Sequence, residues 1–335
     1  MMPISFQVLG LPGRDNALWV RVETGQSVTR LLFDCGDGCL SDLTFGEIQT
    51  ADHLFFSHLH MDHIGGFDSF FRCNFNRGGK PNHIWGPTGT AKILQHRFQG
   101  FWWNLIGEQE AAWWVHDVGA SRVDHHRFEL AEAFEQDHAE GGQDLDGPFL
   151  EGDGFTVEAL PLKHHGLCLG YVVRETPKRN VSKERMAELG LRPGPWLAGL
   201  KDEQDGAVDV NGKSFQWADL RRELLVETPG QSLAYVTDFL LDEPTFRDLT
   251  SKLEGCDTVV CEAQYRHQDL ALAEKNHHTT VRQVTEWASQ AEIQRLLLFH
   301  LSERYGTEER KALLDEAREI YPATEFSPHW SLDEG

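Results

Sequence analysis

Four residues able to bind a metal fall within six positions in Ser57-His58-Leu59-His60-Met61-Asp62-His63-Ile64-Gly65-Gly66. The apolar run before them, His53-Leu54-Phe55-Phe56, reads as a buried strand, and the two glycines after them allow a sharp turn. If the chain leaves its strand extended, His58 and His60 point to one side, because side chains alternate with period two. Two imidazoles so placed suit one metal ion. Once the chain bends, Asp62 and His63 can face a second. Imidazole nitrogen and carboxylate oxygen form the ligand set of a catalytic zinc site, and paired metals suit hydrolysis by an activated water.

Further ligands stand at the ends of predicted strands. Residues 155–160 form one that delivers Lys163-His164-His165-Gly166, and a strand-end histidine there would complete the His58/His60 site. The last third alternates strand and helix. Residues 232–236 lead to Asp238, residues 257–261 to Glu262, and residues 295–299 to His300, with helices at about 243–253, 280–290 and 308–320. Side chains at the carboxyl ends of successive strands converge on one sheet edge, where α/β folds place their sites. Three short strands at 4–9, 17–23 and 29–34 open the chain, the third running into Asp34. Asp34 either orients a ligand from behind or caps a turn.

Composition narrows the function. A chain of 335 residues with 40% hydrophobic content can bury a large core and reads as one big domain or two modest ones. Its net charge of −22 argues against a generally basic, nucleic-acid-coating surface. The six cysteines are scattered; only Cys35 and Cys39 have finger-like spacing, with no second pair, so reduced thiols in a cytoplasmic protein are expected. Neither a signal peptide at Met1-Met2-Pro3-Ile4-Ser5-Phe6 nor a transmembrane span is expected.

Three stretches stand apart. Residues 101–114 hold Trp102, Trp103, Trp113 and Trp114 and read as an inserted helical segment packed into the core, with a dimer interface as the next reading. Residues 129–153 contain nine Asp or Glu and no Lys or Arg, which reads as a solvated loop around Gly141-Gly142. Residues 178–201 reverse the sign, with six Lys or Arg against two Glu. Within them Ser182 is a plausible N-cap for a short helix through Leu189, followed by a stiff Pro/Gly turn at 191–196. A basic arm on an acidic body suits a polyanion; an ordinary solvated loop is the alternative.

Together these residues resemble the metallo-β-lactamase fold superfamily, and within it the ribonuclease Z family of precursor-tRNA 3′-processing endonucleases. The resemblance rests on Phe33-Asp34-Cys35-Gly36-Asp37-Gly38, the His-x-His-x-Asp-His run, and Pro161-Leu162-Lys163-His164 followed by Gly170-Tyr171. It extends to the arm Leu189–Leu197 and to Leu298-Phe299-His300-Leu301-Ser302-Glu303-Arg304-Tyr305. It implies an α/β (αββα) sandwich in a single domain over residues 1–335, with an insertion at about 100–150 and the arm at about 175–205. It further implies two Zn²⁺, with Mn²⁺ or Fe²⁺ as substitutes. His58, His60 and His164 would hold one ion and Asp62, His63 and His300 the other, with Asp238 between them. The family's catalytic Gly-His-Ser-Thr motif corresponds to His277-His278-Thr279-Thr280, making His278 the general acid; Glu262 would orient it, and Asp62 would serve catalysis as well as metal binding. Lys178, Arg179, Arg192, Gly194 and Pro195 would contact RNA, and a homodimer is implied, each arm serving its partner's site.

The chain also departs from the family pattern. Thr237-Asp238-Phe239 replaces Gly-Asp-Thr, the opening loop Gly10–Asn16 is shortened, and the stretch between the second and third motifs is longer. With the overall acidity, these features keep a second reading in view, hydrolysis of a small phosphodiester, cyclic nucleotide or other ester. A third is a non-catalytic metal- or RNA-binding protein.

Overall fold

The computed structural model describes residues 4–330 apart from 26, 105, 107, 108 and 203 and the side chain of Lys201. Met1-Met2-Pro3 and the Lys201 charge of the basic stretch therefore lie outside the described residues. The chain divides into two compact units, one of Met1–Arg174 with Gln231–Gly335 and one of Glu175–Gly230.

In the first unit, β1 (Ile4–Leu9), β2 (Ala17–Glu23), β3 (Val28–Phe33), β4 (His53–Phe55), β5 (Asn82–Pro87), β6 (Ala112–Val118), β7 (Arg122–Glu129) and β8 (His138–Asp144) form one sheet in chain order. Its register, with Leu31 opposite His53 and His53 opposite His83, aligns the carboxyl ends of β3, β4 and β5. Strand alternation then divides the side chains between two cores. Leu31, Phe33, Phe55 and Trp85 point into one, while Leu32, Leu54 and Ile84 point into the other, where helical Phe67, Phe71, Leu94 and Phe98 cover them.

The second sheet of this unit begins with β9 (Leu150–Gly152), β10 (Phe155–His164) and β11 (Gly166–Glu175). The second unit then supplies β12 (Lys178–Val181), β13 (Ala207–Val210), β14 (Lys213–Gln216) and β15 (Leu225–Thr228). The chain returns to the second sheet with β16 (Ser232–Val236), β17 (Thr258–Glu262), β18 (Leu296–Phe299) and β19 (Thr324–Phe326), giving the order β19-β18-β17-β16-β11-β10-β9. Val157, Tyr171 and Tyr235 of this sheet share the core of Phe33 and Phe55. Helices Glu243–Leu253, Val281–Gln290 and Thr307–Ile320 contribute Leu249, Trp287 and Leu313 to it. Two sheets face to face with helical layers outside make the expected αββα sandwich.

Two expectations fail here. The tryptophan-rich stretch is not an inserted helix, because Trp113 and Trp114 lie on β6. Trp113 is fully buried among Phe67, Phe70, Phe71 and Phe98, whereas Trp102 is 85% exposed. The acidic stretch is not all loop either. Residues His138–Asp144 form β8, an edge strand paired antiparallel with β7 and exposed along nearly its whole length. Exposed on both faces, it carries no apolar alternation to mark it.

The second unit is longer than the expected 175–205 arm and has its own small core of Met186, Leu191, Leu200, Val210, Trp217, Leu220 and Leu224. Ser182 caps the helix Lys183–Glu188 by accepting from Arg185 N at 3.2 Å. That helix stops one residue short of Leu189, which is its C-cap. Gly190, at φ 64°, closes it with Leu191 N donating to Met186 O at 2.9 Å. The Pro/Gly turn leads into a further helix, Trp196–Lys201.

Trp113→Ala is expected to remove about 3–5 kcal/mol of stability in urea unfolding. Trp102→Ala should change it by no more than about 0.5 kcal/mol. Equal midpoint shifts for the two variants would contradict this packing.

Candidate metal centre

The His-x-His-x-Asp-His run leaves β4 extended through His60, which is the N-cap of the short helix Met61–Ile64. This bend turns Asp62 and His63 away from the direction of His58 and His60. Cys35 N donates to His63 O, and Gly66 N to Cys35 O, both at 2.8 Å. A Cβ on Gly66 would lie 2.3 Å from Gly36 O, so only glycine permits this approach of the two loops.

Seven side chains meet at this edge. His58, His60 and His164 form one group and Asp62, His63, Asp238 and His300 another, the candidate ligand atoms of each lying within 4.8 Å of one another. Asp238 Oδ2 lies 3.3 Å from His63 Nε2, 3.7 Å from His58 Nε2 and 3.9 Å from His164 Nε2, so one carboxylate faces both groups. Asp62 Oδ2 lies 3.4 Å from both His63 Nε2 and His300 Nε2. Ligands about 2.0–2.1 Å from a tetrahedral zinc stand about 3.3 Å apart, so these spacings match a metal's first neighbours. His58 Nε2 and His63 Nε2 are buried and make no hydrogen bond among the described residues. Such buried, unpartnered nitrogens beside carboxylates and other imidazoles fit a bound cation.

The backbone makes a sharp turn at several of these positions. Asp34 (φ 56°), Asp238 (φ 50°) and His300 (φ 52°), which follow β3, β16 and β18, are all left-handed without being glycine. That conformation costs a residue of this kind of order 1–3 kcal/mol and persists where surrounding contacts enforce it. Here it swings three strand-end side chains into one place.

The two groups differ electrically. Burial, aided by the nearby His63, pushes His58 down to about 2. Burial likewise takes His164 down to about 4, so both imidazoles are neutral and ready to donate a lone pair. At His63 burial is outweighed by Asp238 and Asp34, which hold the ring well above its ordinary value. At Asp238 burial is outweighed by His300 and His63, which keep the carboxylate ionised.

Behind the ligands lies a network only partly visible in sequence. Asp34 Oδ2 accepts from His63 Nδ1 at 2.7 Å, from Ser57 Oγ at 2.7 Å and from Tyr235 Oη at 2.8 Å, and Oδ1 accepts from Ser57 N at 2.7 Å. Asp34 thus orients a ligand. Its partner Tyr235 comes from the opposite sheet, with nothing in the sequence to mark it. His278 Nδ1 donates to Glu262 Oε2 at 2.9 Å, and Glu262 Oε1 accepts from Phe239 N at 2.9 Å. Burial opposes a charge on His278, but Glu262 outweighs it and lifts the ring to about 9. From sequence it is open whether His165 or His277 assists the site; the structure ties His277 to His164. His277 Nδ1 donates to His164 O at 3.1 Å, and His164 Nδ1 donates to His277 O at 3.0 Å.

Comparison with known proteins is consistent with this geometry. A ribonuclease Z of Deinococcus radiodurans is 49% identical over 98% of this chain and 98% of its own length. The chain belongs to the ribonuclease Z family. A ribonuclease Z of Bacillus cereus is 27% identical over 93% of the chain and 90% of its own length. A model of the family described as anti-Pycsar protein Apyc1 matches residues 16–135. Among solved structures, the metallo-β-lactamase fold protein YhfI of Bacillus subtilis aligns with a TM-score of 0.57 at 17% identity, covering 98% of this chain and 97% of that one. Human tRNase Z, short form, aligns at 0.53 and 16% identity, covering 90% and 93%. Those two likenesses are of fold.

The residues expected to contact RNA are in the second unit of this ribonuclease Z family member. Lys178 and Arg179 lie exposed on β12, with Lys178 paired to Glu175. Arg192 and Pro195 are exposed and Gly194 half-buried in the turn before Trp196, whose Nε1 donates to Arg192 O at 3.1 Å.

Asp34→Ala is expected to weaken metal binding by about 10–100-fold in chelator competition, since it frees His63 to rotate. Wild-type affinity in that variant would remove Asp34 from the site.

Proposed function

We propose that this member of the ribonuclease Z family is a binuclear zinc endoribonuclease that cleaves precursor tRNA on its 3′ side. The observation that carries this reading is the Asp238 carboxylate facing two imidazole groups, with the His278–Glu262 pair beside them. His58, His60 and His164 would hold one metal, and Asp62, His63 and His300 the other, with Asp238 common to both. Bound there, two metals supply Lewis-acid activation of water and neutralise charge on the phosphoryl oxygens.

The chain's own groups do the rest. His278 carries a proton at neutral pH because Glu262 accepts from its Nδ1, which directs Nε2 as the donor to the leaving 3′ oxygen. Glu262 is itself held by Phe239 N, so the imidazole has one orientation. Asp62 stays ionised, since burial is outweighed by its contacts with His300 and His63, and its side chain is 45% exposed. It can therefore accept a hydrogen bond from the attacking water. Positive side chains of the second unit, Lys178, Arg179 and Arg192, suit the RNA backbone. The six buried, free cysteines fit a reducing cytoplasm, and among the described residues no helix is long and apolar enough to cross a membrane. A homodimer completes the reading.

Hydrolysis of a small phosphodiester remains the rival, favoured by the net charge of −22. Metal-loaded protein incubated with a precursor tRNA, with the cut mapped, separates the two. A single cut at the 3′ side supports the RNA reading; intact RNA alongside hydrolysis of bis-(p-nitrophenyl) phosphate supports the rival. His278→Ala should lower turnover about 10²- to 10⁴-fold while metal content holds. Wild-type turnover would take His278 out of the mechanism.

A further inference from the structure

Beside the metal centre the first unit has a cavity of about 210 Å³ that opens onto His58, His60 and His164. The rest of its wall is Leu59, Pro87, Thr88, His165, Gly166 and Leu167, with no Lys or Arg among the described residues. A phosphate would find no cation there beyond the metals. Leu59, Pro87 and Leu167 instead offer apolar surface, and Leu167 is 37% exposed for so large an apolar side chain. Ligand pockets for drug-sized molecules run to about 300–1,000 Å³, so this smaller space suits a single planar ring system.

One wall is a built stack. The exposed His165 ring lies parallel to that of His277, with 4.5 Å between centroids and 10° between planes. His277 occupies a left-handed backbone position, φ 54°, that favours glycine. That position closes the helix Leu270–Lys275, with His278 N donating to Ala273 O at 2.9 Å. The His277 side chain donates to His164 O and lies face to face with His165, and the His164 ring is 6.5 Å away. His277 therefore ties the rim of the cavity to the candidate ligand His164, and His165 is left exposed along the cavity wall.

We propose that His165, backed by His277, is a stacking platform for the nucleobase next to the scissile phosphate, which enters the cavity between Leu59, Pro87 and Leu167. This rests on the ribonuclease reading above and specifies how it holds its substrate. Flat imidazole and aliphatic walls accept any base by its face, so the platform sets position more than sequence. His165 touches substrate; His277 is a positioning residue.

The test uses the metal-loaded full chain and a precursor tRNA, intact or made abasic at the nucleotide on either side of the mapped cut. His165→Ala should raise KM by roughly 5- to 150-fold on intact RNA, the range of one lost base stack. His165→Phe should recover most of that loss. His277→Gly, which keeps the backbone conformation, should show part of it. On the RNA abasic at the stacked position the wild type should lose the same factor, and His165→Ala should lose no more. Identical KM values for His165→Ala and wild type on intact RNA would overturn the platform, as would a penalty that persists on both abasic substrates. If the wild type cuts no RNA at all, the ribonuclease reading and the platform fall together; if it cuts and only His165 proves silent, the platform alone is lost.

Discussion

A single buried carboxylate, Asp238, holds the centre together. It faces His58, His63 and His164 at 3.3 to 3.9 Å and is 2% exposed. A carboxylate so buried is costly unless cations surround it. The imidazoles nearby face the opposite problem, because burial drives His58 and His164 to the neutral form. His63 differs, since there burial is outweighed by Asp238 and Asp34, which hold its ring well above the ordinary value. The edge thus combines neutral imidazoles on one side with an imidazole–carboxylate cluster on the other, an arrangement suited to a bound cation. The rest of the first unit can be understood as a means of bringing these groups there from strands far apart in sequence.

The sandwich does this with strand ends. Parallel pairing of β16, β17 and β18 sets Val236, Glu262 and Phe299 near one edge, and the left-handed turns at Asp238 and His300 redirect the side chains that follow. From the other sheet, β3 and β4 deliver Asp34 and the histidine run. Tyr235 crosses between the sheets to donate to Asp34, so the inter-sheet core and the ligand scaffold share a residue. Packing defects in that core would therefore be felt at the candidate metal ligands, although these lie outside it.

Much of this was legible in the sequence because the ligands follow strands whose apolar runs are plain, and helices such as Val281–Gln290 carry capping boxes. Trp113 was misplaced because a dense aromatic run has no clear period, and only the pairing of β6 with β5 and β7 makes it a strand. The acidic β8 was illegible for the opposite reason, since an edge strand exposed on both faces shows no alternation at all. The second unit was truncated at about 205 because the basic run ends there. Its core continues through Val210, Trp217, Leu220 and Leu224, which carry no charge signal. The side-chain role of His277 could not be read: its left-handed backbone is the local end of the helix Leu270–Lys275, but the carbonyl to which its ring donates, that of His164, lies 113 positions away.

Under the proposed RNA reading, an acidic protein of net charge −22 needs its attraction concentrated, which bound metal and the positive side chains of the second unit would provide. The direct test of the centre is anomalous diffraction from crystals grown with zinc, collected on both sides of the zinc edge. Two anomalous peaks with the Asp238 carboxylate between them, one flanked by His58, His60 and His164 and the other by Asp62, His63 and His300, are the result expected. No peak at this edge, or peaks with His164, Asp238 and His300 turned away, would contradict the account.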